Sequence, residues 1–246
     1  MINKTKKYFI IILSLTLVVG ILFVIIKQRR HSSFYFNSFG VSLPNNNSIL
    51  GIDISHHQGK INWDEVEEMK INGDSIQFVY MKVTEGVNFK DKRYNRNRKI
   101  LNSKPVKVGV YHFFSPNLNV IEQVSHFTNS FQKTSLKPVL DIETIGDLSK
   151  VQIVNAVELF LNETEKRIHV RPVIYTYESF YNDYFKGSKI EDELFWIANY
   201  NGACEICDQD NVLLWQFSDH STINGISEKV DLNDAKPNFW ENIIWK

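Results

Sequence analysis

Residues 138–143 read Pro-Val-Leu-Asp-Ile-Glu, a short apolar run that ends in two carboxylates. Apolar runs of this length are typical of buried β-strands. Carboxylates inside such a run cost free energy unless they are hydrogen-bonded or functional. The stretch therefore predicts a strand that carries Asp141 and Glu143 at its carboxyl end.

Seven further runs of this kind flank it. The eight predicted strands are Gly51–Ser55, Gln77–Val83, Val106–Phe114, Pro138–Glu143, Pro172–Tyr177, Leu194–Tyr200, Val212–Ser218 and Lys229–Asn233. The five predicted helices between them are Asp64–Ile71, Lys92–Leu101, Val120–Gln132, Val151–Ile168 and Glu178–Phe185. The last two connections, Asn201–Asn211 and Asp219–Glu228, are too short and too polar for full helices.

This order predicts an α/β protein whose body, residues 49–246, is an irregular, TIM-like (β/α)5β3 barrel. Alternating strands and helices favour a parallel barrel. A doubly wound open sheet is the alternative, and it ranks lower because no glycine-rich phosphate loop follows the first strand.

Acidic residues recur at the predicted strand ends. Asp53 lies near the end of the first strand and Asp231 lies in the eighth, which is its neighbour in a barrel. Asp141 and Glu143 face the same way because side chains on a strand alternate. A lone acid at a strand end is often a helix cap or a solvated turn residue. Four acids around one mouth instead predict a site in which at least one pKa is raised, as a general acid requires.

Aromatic side chains share faces of the same strands. Core packing is the alternative explanation for them, above all for Phe113 and Trp196. Tyrosines beside acids also form platforms for sugar rings, and the histidines show no metal-ligand spacing. The sequence therefore predicts glycoside hydrolysis without a metal or another cofactor. The predicted substrate-binding residues are Tyr111, Phe113, Tyr175, Trp196, Tyr200 and Gln216.

The amino-terminal region differs from the body. Residues 1–31 hold six of the 28 basic residues and no acid, and Tyr8–Ile26 carries no charge. A helix of that length, at about 1.5 Å per residue, nearly spans a hydrocarbon core of roughly 30 Å. Residues 1–30 are therefore predicted to be a basic flank and an uncleaved transmembrane anchor, since Lys27-Gln28-Arg29-Arg30 follows where a signal-peptide cleavage site would stand. Residues 31–48 are predicted to be a linker.

Two further features limit the function. Residues 32–246 carry 22 basic and 28 acidic residues, a net charge of −6, which excludes a general basic surface for nucleic acid. Cys204 and Cys207 are too few for a disulfide framework, and they either close a small loop or remain two thiols.

Several motifs, in this order along the chain, resemble glycoside hydrolase family 25, the lysozymes (muramidases) of the Chalaropsis type. They include Gly51-Ile52-Asp53-Ile54-Ser55, Phe78-Val79-Tyr80-Met81-Lys82-Val83-Thr84-Glu85-Gly86, Gly109-Val110-Tyr111-His112-Phe113, Pro138-Val139-Leu140-Asp141-Ile142-Glu143, Phe195-Trp196-Ile197-Ala198-Asn199-Tyr200, Trp215-Gln216-Phe217-Ser218 and Val230-Asp231-Leu232-Asn233. The resemblance implies cleavage of the β-1,4 bond between N-acetylmuramic acid and N-acetylglucosamine in peptidoglycan. It also implies that Glu143 is the proton donor, that Asp141 is its partner carboxylate, and that Asp53 and Asp231 complete the site.

A peptidoglycan substrate places the body outside the cytoplasmic membrane. We therefore expect a monomeric, single-pass protein with its amino terminus inside and glycan strands of the wall as its partner. One alternative is a chitinase-like amino-sugar hydrolase, against which the preceding Lys137-Pro138-Val139-Leu140 argues. The other is a non-catalytic wall-binding module, against which the complete set of four acids argues.

Overall fold

The computed structural model describes residues 35–36, 42–43, 49–71, 73–202 and 204–246. The predicted membrane segment, Tyr8–Ile26, lies outside these residues. Within the described ranges, no helix is both long and apolar enough to span a bilayer. In the predicted linker, Tyr35–Phe36 pairs with Ser42–Leu43 as two short antiparallel strands.

Eight strands close into a barrel, as the sequence predicts. They are β1 (Ile49–Ile54), β2 (Phe78–Glu85), β3 (Lys107–Phe113), β4 (Val139–Asp141), β5 (Val173–Tyr177), β6 (Phe195–Ala198), β7 (Val212–Ser221) and β8 (Val230–Ala235). Each strand pairs with the next along the chain, and β8 returns to β1 and closes the barrel.

The direction of the last strand corrects the prediction of a parallel barrel. Strands β1 to β7 are parallel to their sequential neighbours, but β8 is antiparallel to both β7 and β1. A parallel crossover needs a dozen or more residues, and only residues 222–229 join β7 to β8. Asp231 therefore lies near the beginning of its strand, and the reversed direction still brings it to the mouth formed by the carboxyl ends of the others.

Helices pack on the outside of the first five strands. They are α1 (Trp63–Glu68), α2 (Tyr94–Leu101), α3 (Val120–Thr128), α4 (Lys150–Ile168) and α5 (Glu178–Phe180), the last continued by a π-helical turn at Tyr181–Phe185. Helix α4 is the longest of them. It begins at a capping box between Ser149 and Gln152 and ends at His169, which lies in the left-handed region. No described residue of the connections before β7 and β8 lies in a helix, as predicted.

The barrel interior is filled by large aromatic side chains. Phe78 and Tyr80 of β2 project inward, and the Tyr80 ring lies 5.1 Å from that of Trp196. Gly51 and Gly109 make room for them, because a Cβ atom at either position would lie 2.1 Å from the ring of Phe78 or Tyr80. The amino-terminal end of the barrel, here called the base, is covered by a short helix that the sequence did not predict, α6 (Phe239–Ile243).

A second apolar core lies between the strands and the outer helices. His112 of β3 is buried beside this core, and its ring stacks on Phe160 of α4. Burial lowers the pKa of His112 to about 3, so this imidazole is neutral and belongs to the core rather than to a site. With the base covered and the outside packed, the mouth is where polar side chains can converge.

Candidate active site

The four acids predicted from the sequence line one cavity of about 230 Å³ at the mouth of the barrel. Asp53 comes from β1, Asp141 ends β4, and Glu143 follows two residues later. Asp231 of β8 is the direct cross-strand partner of Asp53. The fold therefore brings together two pairs of carboxyl groups from strands on opposite sides of the barrel.

Asp53 and Asp231 form the first pair. Gln216 Nε2 and Asn233 Nδ2 donate hydrogen bonds to Asp53 Oδ2 at 2.9 and 2.8 Å. Burial raises the pKa of Asp53, and these donors oppose the shift because they favour the ionised form. Burial and the nearby charge of Asp53 raise the pKa of Asp231 to about 10. Within this pair, Asp231 therefore retains its proton to a higher pH than an ordinary carboxyl group does.

Asp141 and Glu143 form the second pair. Burial and the charge of Glu143 raise the pKa of Asp141 well above its usual range. Burial also raises the pKa of Glu143, although the Tyr177 hydroxyl donates a hydrogen bond to Glu143 Oε2 at 3.2 Å and favours its ionised form. Asp141 Oδ1 is buried and has no hydrogen-bond partner. The pair thus combines two carboxyl groups whose pKa values are raised with one buried acceptor atom left open for a ligand.

The predicted aromatic residues divide into two groups. Tyr111, Phe113, Tyr175 and Trp196 line the cavity, as does Gln216. Tyr200 lies just outside it, and both Tyr175 and Tyr200 donate hydrogen bonds to Gln216 Oε1, at 2.7 and 2.5 Å. Burial raises the pKa of Tyr175 well above its usual range, so its hydroxyl remains a donor. Gln216 therefore links the two tyrosines to Asp53: its Oε1 accepts from both hydroxyls, and its Nε2 donates to Asp53.

Trp196 has a structural role in addition to its place in the cavity wall. Its indole Nε1 donates to Asn233 Oδ1 at 2.8 Å, and this contact orients the Asn233 amide toward Asp53. Phe113 faces the cavity and lies beneath the ammonium group of Lys82, with 4.5 Å between Nζ and the ring centroid. The core-packing interpretation thus holds in part for Trp196, whereas Phe113 belongs to the cavity wall.

Several residues of this site were not predicted from the sequence. Lys82 lines the cavity, and its Nζ lies 2.6 Å from Glu85 Oε2. A lysine inside the apolar run of β2 was the signal that could have identified it. Tyr177 was predicted only as an aromatic residue on the same strand face as Tyr175, and Asn233 only as a member of a strand, because their hydrogen-bond partners are distant in sequence. Ser55 and Gln58 cap the turn His56–Gln58 after β1 and also line the cavity.

The chemistry of the cavity follows from these groups. It holds two pairs of carboxyl groups with raised pKa values, tyrosine hydroxyls and aromatic surface, which are the components of a glycosidase site. No group of His, Cys, Asp or Glu side chains within the described part of the chain could hold a metal ion.

Comparisons with known proteins agree with this chemistry. Residues 52–226 match the sequence model of the glycosyl hydrolases family 25. Protein YegX of Escherichia coli strain CFT073 is 33% identical over 198 residues, covering 80% of this chain and 72% of that protein. The autolytic lysozyme of Clostridium acetobutylicum is 32% identical over 197 residues, which are 79% of this chain and 56% of that enzyme.

The fold also matches solved structures. The bacterial lysozyme from Streptomyces coelicolor superposes with a TM-score of 0.69 at 27% identity, over 80% of this chain and 99% of that one. The matched segment contains three of the four acids, and β8 with Asp231 follows it directly. A sequence match over most of the chain and a shared barrel thus lead to one conclusion: this chain belongs to glycosyl hydrolase family 25.

Proposed function

We propose that the protein is a muramidase that cleaves the β-1,4 bond between N-acetylmuramic acid and N-acetylglucosamine in peptidoglycan. The observation that carries the proposal is the convergence of Asp53, Asp141, Glu143 and Asp231 on one cavity. Family membership and the lysozyme activity named for two of the relatives support it. Release of dye from labelled cell walls, compared with release from labelled chitin, tests the substrate and separates a muramidase from a chitinase.

Glu143 is the proposed general acid. Burial raises its pKa, which favours the protonated form that a general acid needs, and the cavity gives a bound glycan access to it. Glu143→Gln preserves the shape of the side chain and removes the proton, so activity should fall by about 10²–10⁴-fold. A wall-binding module without turnover would show no dye release with either form of the protein.

Asp141 is proposed to orient the substrate rather than to attack it. The 2-acetamido carbonyl of the sugar can act as the nucleophile in place of an enzyme group. The unpartnered Asp141 Oδ1 then accepts a hydrogen bond from the acetamido N–H and stabilises the positive charge that develops. Asp53 and Asp231 position this pair and the substrate from the other side of the mouth.

The stereochemistry of the product tests this assignment. Substrate assistance predicts retention at the anomeric carbon and strong inhibition by a thiazoline analogue of the sugar. An inverted product, or a covalent glycosyl ester trapped on Asp53 or Asp231, contradicts the role proposed for Asp141 and leaves the muramidase proposal intact.

The location of the protein is also proposed. Tyr8–Ile26 forms a single membrane-spanning anchor with the amino terminus in the cytoplasm, and the monomeric barrel acts on the wall outside. The structure of the body is compatible with this arrangement. Strand β1 begins at the base and carries Asp53 near its other end, so the linker joins the barrel at the end opposite the mouth.

A further inference from the structure

One side of the mouth carries apolar side chains that are exposed to solvent. Phe89, Leu118 and Ile121 expose 38%, 43% and 40% of their surface, and we call these three residues the apolar rim. In the part of the chain that the structure describes, the two other large apolar residues with such exposure, Val151 and Leu159, both lie on α4. Apolar side chains that gather beside a site, rather than scatter singly, indicate a binding surface.

The apolar rim is continuous with the cavity. Phe89 pairs with Glu85 at the end of β2, and the Phe89 ring centroid lies 5.7 Å from Lys82 Nζ. The same ammonium group lies over Phe113, which lines the cavity. Leu118 covers the end of β2, since a Cβ atom at Gly86 would lie 3.0 Å from Leu118 Cδ1. A ligand that extends from the cavity over the ends of β2 and β3 therefore meets the rim.

Hydrogen bonds hold the backbone of the apolar rim in place. His126 Nε2 of α3 donates to the Phe89 carbonyl at 2.8 Å. The Leu118 amide donates to Ser115 O at 3.1 Å, and Gln123 Nε2 donates to the Leu118 carbonyl at 3.3 Å. The surface is thus formed before any ligand binds, which lowers the entropic cost of binding.

Beside Phe89, the charge of the rim is opposite to that of the cavity, whereas Glu122 is exposed next to Ile121 at the other end of the rim. Lys90 and Lys92 are exposed next to Phe89, while the nearby carboxylate of Glu85 is paired with Lys82. A bare glycan presents hydroxyl and acetamido groups to such a surface. The stem peptide of peptidoglycan presents alanyl methyl groups and free carboxylates, which match an apolar surface flanked by lysines.

We infer that the apolar rim binds the stem peptide carried by the N-acetylmuramic acid unit, with Lys90 and Lys92 attracting its carboxylates. The inference rests on the proposed muramidase function and adds to it: the protein selects glycan that still bears peptide. The rim lies beside the cavity, so binding there positions the adjacent glycosidic bond at Glu143 and Asp141.

The test compares two forms of one substrate, using the full-length protein in detergent. Reducing ends are counted on peptidoglycan with its stem peptides and on the same strands after an amidase has removed them. We expect the peptide-bearing strands to be cleaved about tenfold faster, the scale of one well-formed apolar contact. Leu118→Ser should bring this ratio close to one. Leu159→Ser is the matched control, a leucine of 40% exposure on α4, and should change neither rate.

Charge variants and a binding measurement provide a second test of the same inference. Lys90→Glu should also lower the ratio, whereas Lys186→Glu, an exposed lysine after α5, should not. Titration with a soluble muramyl peptide measures binding without turnover, and Leu118→Ser should weaken it. Equal cleavage of both substrates by the unmodified protein, or muramyl-peptide affinity that Leu118→Ser leaves intact, would overturn the inference. Loss of turnover alone, with this binding retained, would contradict the proposed function instead.

Discussion

At the scale of single residues, the Tyr177 hydroxyl controls the proton of Glu143. Its hydrogen bond favours the ionised carboxylate and lowers the pKa of Glu143, against the effect of burial. A general acid works only while it is protonated, so activity declines as pH rises through its pKa. Tyr177→Phe should therefore move the alkaline limb of the kcat/KM profile to higher pH.

The control for this variant is Tyr184→Phe. Tyr184 packs against Phe180 at the end of α5, and it does not line the cavity. The kcat/KM profile of Tyr184→Phe against pH should coincide with that of the unmodified protein. An alkaline limb that stays in place in Tyr177→Phe, or moves to lower pH, would show that Glu143 is not the group whose protonation it reports.

Asp231 should make stability depend on pH. Its pKa is about 10 in the folded protein, compared with about 3.9 in an unfolded chain, so folding requires a proton at neutral pH. The sign follows from linkage: the favourable contribution is complete below the unfolded pKa and is lost as pH rises toward 10. Asp231→Asn is permanently neutral, so it should raise Tm at pH 8 and have little effect near pH 4.

Thermal unfolding of both proteins across this range provides the measurement. The gain in Tm should grow steadily between the two pH values. Glu228→Gln changes an exposed acid shortly before β8 and should give no such trend. A gain of equal size at both pH values would mean that Asp231 does not hold its proton in the folded protein.

At the scale of elements, the connection between β6 and β7 is held by one buried carboxylate. Glu178, the first residue of α5, accepts hydrogen bonds from the amides of Glu205 and Ile206 at 2.7 and 3.0 Å, and a third from the side chain of Asn199. Cys204 and Cys207 close the same loop as a disulfide. Asn199 is followed by Tyr200, whose hydroxyl donates a hydrogen bond to Gln216. Gln216 in turn donates to Asp53, so the loop is connected to the site.

Loss of this carboxylate should affect both stability and the site. Glu178→Ala leaves two backbone donors without an acceptor, at about 1–3 kcal/mol each. Glu178→Gln keeps one carbonyl oxygen for them and should cost less. Urea unfolding measures the difference in stability between the two variants. If the alanine variant has a reduced kcat/KM at a temperature where it remains folded, the loss of Glu178 also disturbs Gln216 in the site. Equal stability of the two variants would remove Glu178 from this role.

The sequence predicted elements better than partners, and the reason is physical. Apolar runs identified all eight strands, and adjacency of β1 and β8 placed Asp53 beside Asp231. Periodicity carries no information about side chains that meet from distant elements, so Glu178 and Asn233 were not identified as parts of the site. The direction of β8 was missed for a different reason. The parallel pattern of the earlier βα units was extended to β8, although the connection before β8 is too short for a parallel crossover.

At the scale of the whole molecule, the barrel has two ends with different roles. The mouth carries the acids and the apolar rim, whereas α6 covers the base with Phe239, whose ring lies 5.0 Å from that of Phe78. The chain enters β1 at the base, so the segment upstream of Ile49 joins the barrel at the end opposite the mouth. A tether attached there would leave the mouth free for substrate.

Attachment to the membrane is the last prediction. Full-length protein should sediment with membranes and require detergent for release, because the 19 uncharged residues from Tyr8 to Ile26 are predicted to insert as one helix. A chain that begins at Ser48 should be soluble and still cleave peptidoglycan, since the four acids and the closing strand β1 lie beyond that residue. Mass spectrometry of the mature protein provides the decisive measurement. An amino terminus near residue 30 would mean that the segment is a cleaved signal, and the barrel would then act free of the membrane.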